Sequence, residues 1–234
     1  MQPKKKRKLE FKFKNLLIWL FLYLILTSLL KDLPFTGLLF QLLFTAVLLS
    51  AIYTIQKKEQ ISKMALILLL PTISLLWLNA FKLVSITPVA VNILLVLYLG
   101  LIVITFGRYI FTAQKIDSEL LAAALCLYFL LGLLWGTILL LLEELVPGSF
   151  AGAGLLKATD ITSRFLNFSY LSFVTLTTLG YGDITPQTPG AMALCQVEAI
   201  LGQFFTAVLV ARLVGIQVAQ ELTCNRPQNR GSDE

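Results

Sequence analysis

Thr177-Thr178-Leu179-Gly180-Tyr181-Gly182-Asp183 is the stretch of this 234-residue chain whose residue types and spacing most directly suggest chemistry. Two glycines alternate with larger residues in a polar loop, between an apolar run from Phe165 to Leu176 and a long hydrophobic segment after Pro189. Glycine accepts backbone angles that L-residues resist, so Gly180 and Gly182 let successive carbonyls aim at one axis. Such carbonyls, with the Thr178 hydroxyl at the inner end, can take the place of water around a cation. Leu179 and Tyr181 would then point away from the axis and pack the loop against the helix before it. Asp183 would set a carboxylate at the outer mouth, where it raises the local cation concentration. Irregular backbone at membrane depth is tolerated only where it is buried in protein or lines a watery path.

The depth follows from composition. Hydrophobic residues make up 57% of the chain and charged residues 14%, which leaves too few polar helix faces for one large water-soluble core. The chain reads as an all-α membrane protein with six transmembrane helices plus a re-entrant helix and its loop. The expected spans are 16–30, 37–53, 64–80 with Pro71 inside, 89–106 stopping at Gly107-Arg108, 119–142 ending in Glu143-Glu144, and 191–218. Residues 146–159, rich in Gly, Pro, Ser and Ala, read as a surface turret with weak structure of its own. Asp160 or Ser163 can cap a helix over 163–177, which is too short to span and therefore re-entrant. Pro186 and Pro189 end that excursion.

Charge placement orients the spans. With both termini cytoplasmic, fifteen Lys and Arg fall inside against four outside (Lys31, Lys82, Lys157 and Arg164). The basic run Lys4 to Lys8, within an N-terminal segment 1–15, could be read as a nucleic-acid arm. Directly before an apolar helix it serves as the flank that keeps a terminus inside, so no nucleic-acid partner is expected. No histidine is present, and Cys126, Cys195 and Cys224 are scattered. That removes the commonest general base and any disulfide or CxxC framework. No paired carboxylates or activated nucleophile suggest an enzyme.

With Pro186 after it, the heptapeptide resembles the potassium-channel signature of the tetrameric cation-channel superfamily, whose filters work by that carbonyl-for-water exchange. The resemblance covers a pore domain over 117–220: outer helix, turret, pore helix, filter and inner helix. It implies a homotetramer in a cell membrane, passing K+ passively, with no cofactor and with lipid as the other partner. Thr178, Leu179, Gly180, Tyr181 and Gly182 would hold the ions, supported by Thr177. Leu179 stands where valine is commoner. Val174 occupies a position where some members carry a glutamate, which leaves Tyr170 as the hydroxyl partner of Asp183. Other readings are a poorly selective monovalent cation channel of the same fold and a potassium transporter subunit. Such transporters carry four related loops in one chain, and this chain has one.

On the inner helix the resemblance places Gln203, Thr206 and Val210 on a cavity-facing stripe. Gly202 is either a hinge or a close-packing site. Glu198, another cavity and gate candidate, lies one position off that stripe, so a hydrogen bond to a Ser or Thr near the pore helix competes with a pore role. Arg212 reads as snorkelling to the cytoplasmic face. The four helices of 16–107 resemble a voltage-sensor region, yet 89–106 holds no arginine. Each sensor charge contributes about 2.3 kcal/mol per 100 mV, so steep voltage gating is not expected. The tail, 221–234, is too short for a soluble ligand domain.

Overall fold

A computed structural model describes residues 12–30, 36–55, 59–81, 88–157 and 161–224. The elements are α1 (Lys12–Leu29), α2 (Thr36–Ile55), α3 (Glu59–Ala80), α4 (Pro88–Thr112), α5 (Ser118–Leu145), β1 (Phe150–Gly152), α6 (Ala153–Lys157), α7 (Ile161–Leu176), β2 (Ile184–Pro186) and α8 (Pro189–Cys224). Among the described residues five helices are long and apolar enough to cross a membrane, α2, α3, α4, α5 and α8. The apolar part of α1, Phe13–Thr27, is shorter. Residues 1–11 and 225–234, which include the basic run at Lys4 to Lys8, lie outside the described residues.

Helix α5 is the hub, packing against α1, α4, α7 and α8. Asp117 starts it as N-cap, its Oδ1 accepting the Leu120 N–H at 2.8 Å. Nearby the Phe13 N–H donates to Glu119 Oε2 at 3.2 Å, while the Phe13 ring meets Phe106 edge-on and stacks on Tyr109. These contacts put the start of α1, the end of α4 and the start of α5 on one side. Arg212 of α8 joins that side, donating from Nη2 to the carbonyls of Phe111 at 2.6 Å and Ala113 at 3.0 Å. On the opposite side Asn92, early in α4, donates to Glu144 Oε2 near the end of α5 at 2.7 Å. Tyr23, Phe40, Phe44 and Phe165 form an aromatic cluster that fastens α1 and α2 to the first turn or so of α7. Helix α7 therefore enters from the side opposite Arg212.

Four expectations need correction. The chain is not wholly α-helical: β1 and β2 pair antiparallel in the register Phe150↔Pro186, Ala151↔Thr185 and Gly152↔Ile184. The turret accordingly has structure, and Glu143 holds it, its two carboxylate oxygens accepting the N–H groups of Gly148 and Phe150 at 3.0 Å each. Helix α4 does not stop at Gly107-Arg108 but continues to Thr112. A glycine inside a helix costs only about 1 kcal/mol and terminates it only with a left-handed cap, which Gly107 does not supply. Finally, α7 begins at Ile161, which places Ser163 inside the helix, while Asp160 lies outside the described residues. Pro71 sits within a continuous α3.

Arg212 does more than reach water, because its guanidinium satisfies carbonyls left open at the end of α4 and lies 5.7 Å from the Phe111 ring centroid. Hydrogen bonds to a charged donor are worth about 1.5–3 kcal/mol. R212A is expected to lower the stability of the detergent-solubilised protein by about that amount. Thermal unfolding followed by circular dichroism measures it, and an unchanged midpoint would contradict the assignment.

Candidate functional site: the loop after helix α7

Helix α7 is wedged between α5 and α8, burying Phe165, Phe168, Leu171, Ser172, Val174 and Leu176. The wedge closes because its neighbours give way at glycines. A Cβ at Gly136 would come within 2.8 Å of the Ser169 Cα, and one at Gly202 would overlap the Leu176 carbonyl oxygen. Gly132 and Gly136 form the small-xxx-small spacing that lets membrane helices approach closely. Gly202 thus meets the packing alternative: α8 runs unbroken through it and its missing side chain admits the end of α7.

At its C-terminus α7 unwinds into the loop under control of one carbonyl. Val174 O accepts the N–H of Leu179 at 2.9 Å and that of Gly180 at 3.3 Å. Thr177 Oγ1 donates back to Phe173 O at 2.6 Å, and the Thr178 N–H donates to Thr175 O at 2.9 Å. Beyond this point the backbone alternates in hand. Thr178, Gly180 and Gly182 have φ of 59°, 60° and 76°, while Leu179 and Tyr181 keep negative φ. A β-branched residue in the left-handed region is strained, so Thr178 is held there by its surroundings. Part of that hold is visible, since Gln203 Nε2 on α8 donates to Thr178 Oγ1 at 3.1 Å.

The outer end is tied down as firmly. The Tyr170 hydroxyl is a side-chain hydrogen-bond partner of Asp183; burial, then that bond and the Asp183 charge, push the hydroxyl above its ordinary pKa and keep it a donor. Ile184 is buried, and β2 pairs with β1 directly after the loop. Gly152 lets β1 lie close, for a Cβ there would sit 2.5 Å from the Asp183 carbonyl oxygen.

The structure thus gathers Tyr170, Val174, Thr177, Thr178, Gly180, Gly182, Asp183 and Gln203 around one loop. Thr206 is exposed on the same helix, its hydroxyl donating to Gly202 O at 3.0 Å, and Val210 is exposed one turn further on. Glu198 is turned away, fully buried against Ser172. One expectation fails. Leu179 and Tyr181 are not buried against α7: they are 55% and 66% exposed in the single chain, although Tyr181 lies near enough to Tyr170 of α7 to interact with it electrostatically. Sequence reasoning missed the Ser172–Gly132 contact and the role of Gln203 in holding Thr178, although the Gly132-x-x-x-Gly136 spacing was a readable signal for the first.

Residues 123–218 match a family described as "Ion channel". A curated relative, TWiK family of potassium channels protein 7 from Caenorhabditis elegans, is 34% identical over 83 residues. That alignment covers 36% of this chain and 14% of the relative's length. No solved structure matches. Over this stretch the chain is similar to ion channels, and the curated relative it resembles is named as a potassium channel. The matched stretch begins within α5, takes in α7 and the loop, and ends within α8.

For the α7–α8 contact the packing at Gly202 gives a direct test. G202A forces a methyl into the Leu176 carbonyl, and overpacking of that kind costs about 1–3 kcal/mol. The expected result is a lower unfolding midpoint of about that size. Full stability in G202A would show that α7 and α8 do not meet as described.

Proposed function

We propose that the chain is one subunit of a homotetrameric channel that passes K+ selectively and passively across a cell membrane, with Thr178, Leu179, Gly180, Tyr181 and Gly182 as the ion-binding loop. The observation that carries this reading is the alternation of hand at Thr178, Gly180 and Gly182. In an extended strand of uniform hand successive carbonyls point to opposite sides; reversing every second residue turns them to the same side. The N–H groups of Leu179 and Gly180 are already drawn back to Val174, which leaves the oxygens of these two residues as their free backbone groups. A ring of such oxygens replaces the hydration shell of a cation, the mechanism known for this family's filters. Helix α7 adds to this, since its C-terminal end carries about half a negative elementary charge beside the loop.

The remaining expectations fit the same frame. Six crossings follow if α1 spans with the five longer helices, and the positive-inside bias then places both termini in the cytoplasm. The side shared by the start of α1, the end of α4 and Arg212 is then the cytoplasmic one. K+ is the permeant ligand and no cofactor is required. Lipid covers the outer faces. Voltage gating of the arginine-ladder kind is not expected, because α4 carries Arg108 alone, near its last turns.

Purified protein in liposomes is expected to take up K+ down its gradient, with little Na+ entry and with block by Ba2+. G180A should lose flux while the protein stays folded, since a side chain in the left-handed region costs about 1–2 kcal/mol at each copy of the loop. Equal K+ and Na+ flux would favour an unselective channel. Flux that survives G180A unchanged would remove the loop from the conduction path.

A further inference from the structure

Glu198 has no exposed surface, and neither does Ser172. The Ser172 hydroxyl oxygen makes hydrogen-bond contact with Glu198 Oε1 and lies 2.7 Å from the carbonyl oxygen of Gly132. Three elements therefore meet at one oxygen: α7 through Ser172, α5 through Gly132 and α8 through Glu198. The protons do not suffice if Glu198 is ionised. A serine hydroxyl has one proton, whereas a carboxylate and a carbonyl are both acceptors only. Whichever neighbour Ser172 serves, its oxygen would face the other with no hydrogen between them. The second carboxylate oxygen, Oε2, is buried without any partner, a costly place for half of a negative charge.

One added proton resolves every contact. Glu198 as a neutral acid donates to Ser172 Oγ, and Ser172 then donates to Gly132 O. Oε2 becomes an uncharged carbonyl oxygen, far cheaper to leave unpaired than a charged one. No compensating cation stands nearby among the described residues. Ser172 faces Glu198 from α7, the Gly132 carbonyl from α5, and the Cys195 thiol lies one turn earlier on α8. Of the tyrosines on the packed helices, Tyr128 stacks on Phe205 and Tyr170 engages Asp183.

We propose that Glu198 is held as a neutral carboxylic acid that pins α8 to α7 and α5 behind the loop, and that its ionisation under alkaline conditions releases the pin and stops conduction. Ser172 stands two residues before Val174, the residue whose carbonyl anchors Leu179 and Gly180. Ionisation removes the donor, leaves Ser172 with two competing acceptors and introduces an unpaired charge at this anchor. The effect on conduction rests on the channel reading; the proton on Glu198 does not.

The test compares wild-type protein with E198Q, whose amide keeps an N–H donor toward Ser172 but cannot ionise. K+ flux in liposomes is measured from mildly acidic to alkaline pH. Wild-type flux is expected to fall as pH rises, with the protonated fraction dropping about tenfold per pH unit beyond the midpoint. E198Q is expected to conduct across the whole range, and S172A to conduct poorly throughout. An alkaline loss that persists unchanged in E198Q overturns the proposal. Infrared spectroscopy supplies an independent readout: a protonated-carboxyl stretch at neutral pH in wild type, missing in E198Q. Absence of that band in wild type also overturns it. Should neither protein conduct at any pH, the channel reading fails, while the infrared comparison still decides whether Glu198 carries the proton.

Discussion

The carbonyl of Val174 is the point on which the rest of the structure turns. It takes the N–H groups of Leu179 and Gly180, and so turns the first part of the loop after α7 to offer its oxygens. A loop with unpaired N–H groups at this depth would be destabilised by every one of them, since each unsatisfied polar group away from water costs several kcal/mol. Holding Val174 in place therefore matters more than any side chain in the loop. The glycines at 132, 136 and 202 serve that end by letting α7 approach its neighbours more closely than side chains would allow. Gln203 and Tyr170 then fix the two ends of the loop from α8 and from α7 itself.

Helices α1 to α4 act on the same point from a distance. Their connection is mechanical, through aromatic packing at one side and Arg212 at the other. Phe40 and Phe44 press on Phe165, so a tilt of α2 would be felt at the first turns of α7. Arg212 binds the end of α4 to the far part of α8, so a shift of α4 would be felt there. A ladder of charges is unnecessary for such coupling. What these helices provide is contact with α7 at one side and with α8 at the other.

The loop and the helices around it were legible in the sequence because their signals are local. Gly180 and Gly182 stand out in an apolar chain, and the length of α7 follows from its distance to Thr177. The β1–β2 pairing was hidden because strands of three residues carry no readable period, and their partners lie on opposite sides of α7 in sequence. Gly107-Arg108 misled because punctuation by glycine needs a left-handed cap, which composition alone does not reveal. Gly202 could be read as hinge or as packing until the end of α7 was placed against it. The exposure of Leu179 and Tyr181 in the single chain depends on tertiary packing, which no local pattern encodes.

That exposure also bears on assembly. Only 6% of the apolar stretch of α8 is buried, against 56% for α5, although both are long enough to span. Lipid could cover the exposed valines of α8, but it cannot cover Leu179 and Tyr181, which flank the free oxygens of a polar loop. Nor can one chain complete the proposed ion site, because it contributes a single carbonyl at each level, far short of a hydration shell. The same neighbour that buries Leu179 and Tyr181 would bring the next carbonyl to that level. In the proposed tetramer, packing and ion binding are therefore one constraint: side chains left exposed in the single chain become the contacts that set the spacing of the oxygens.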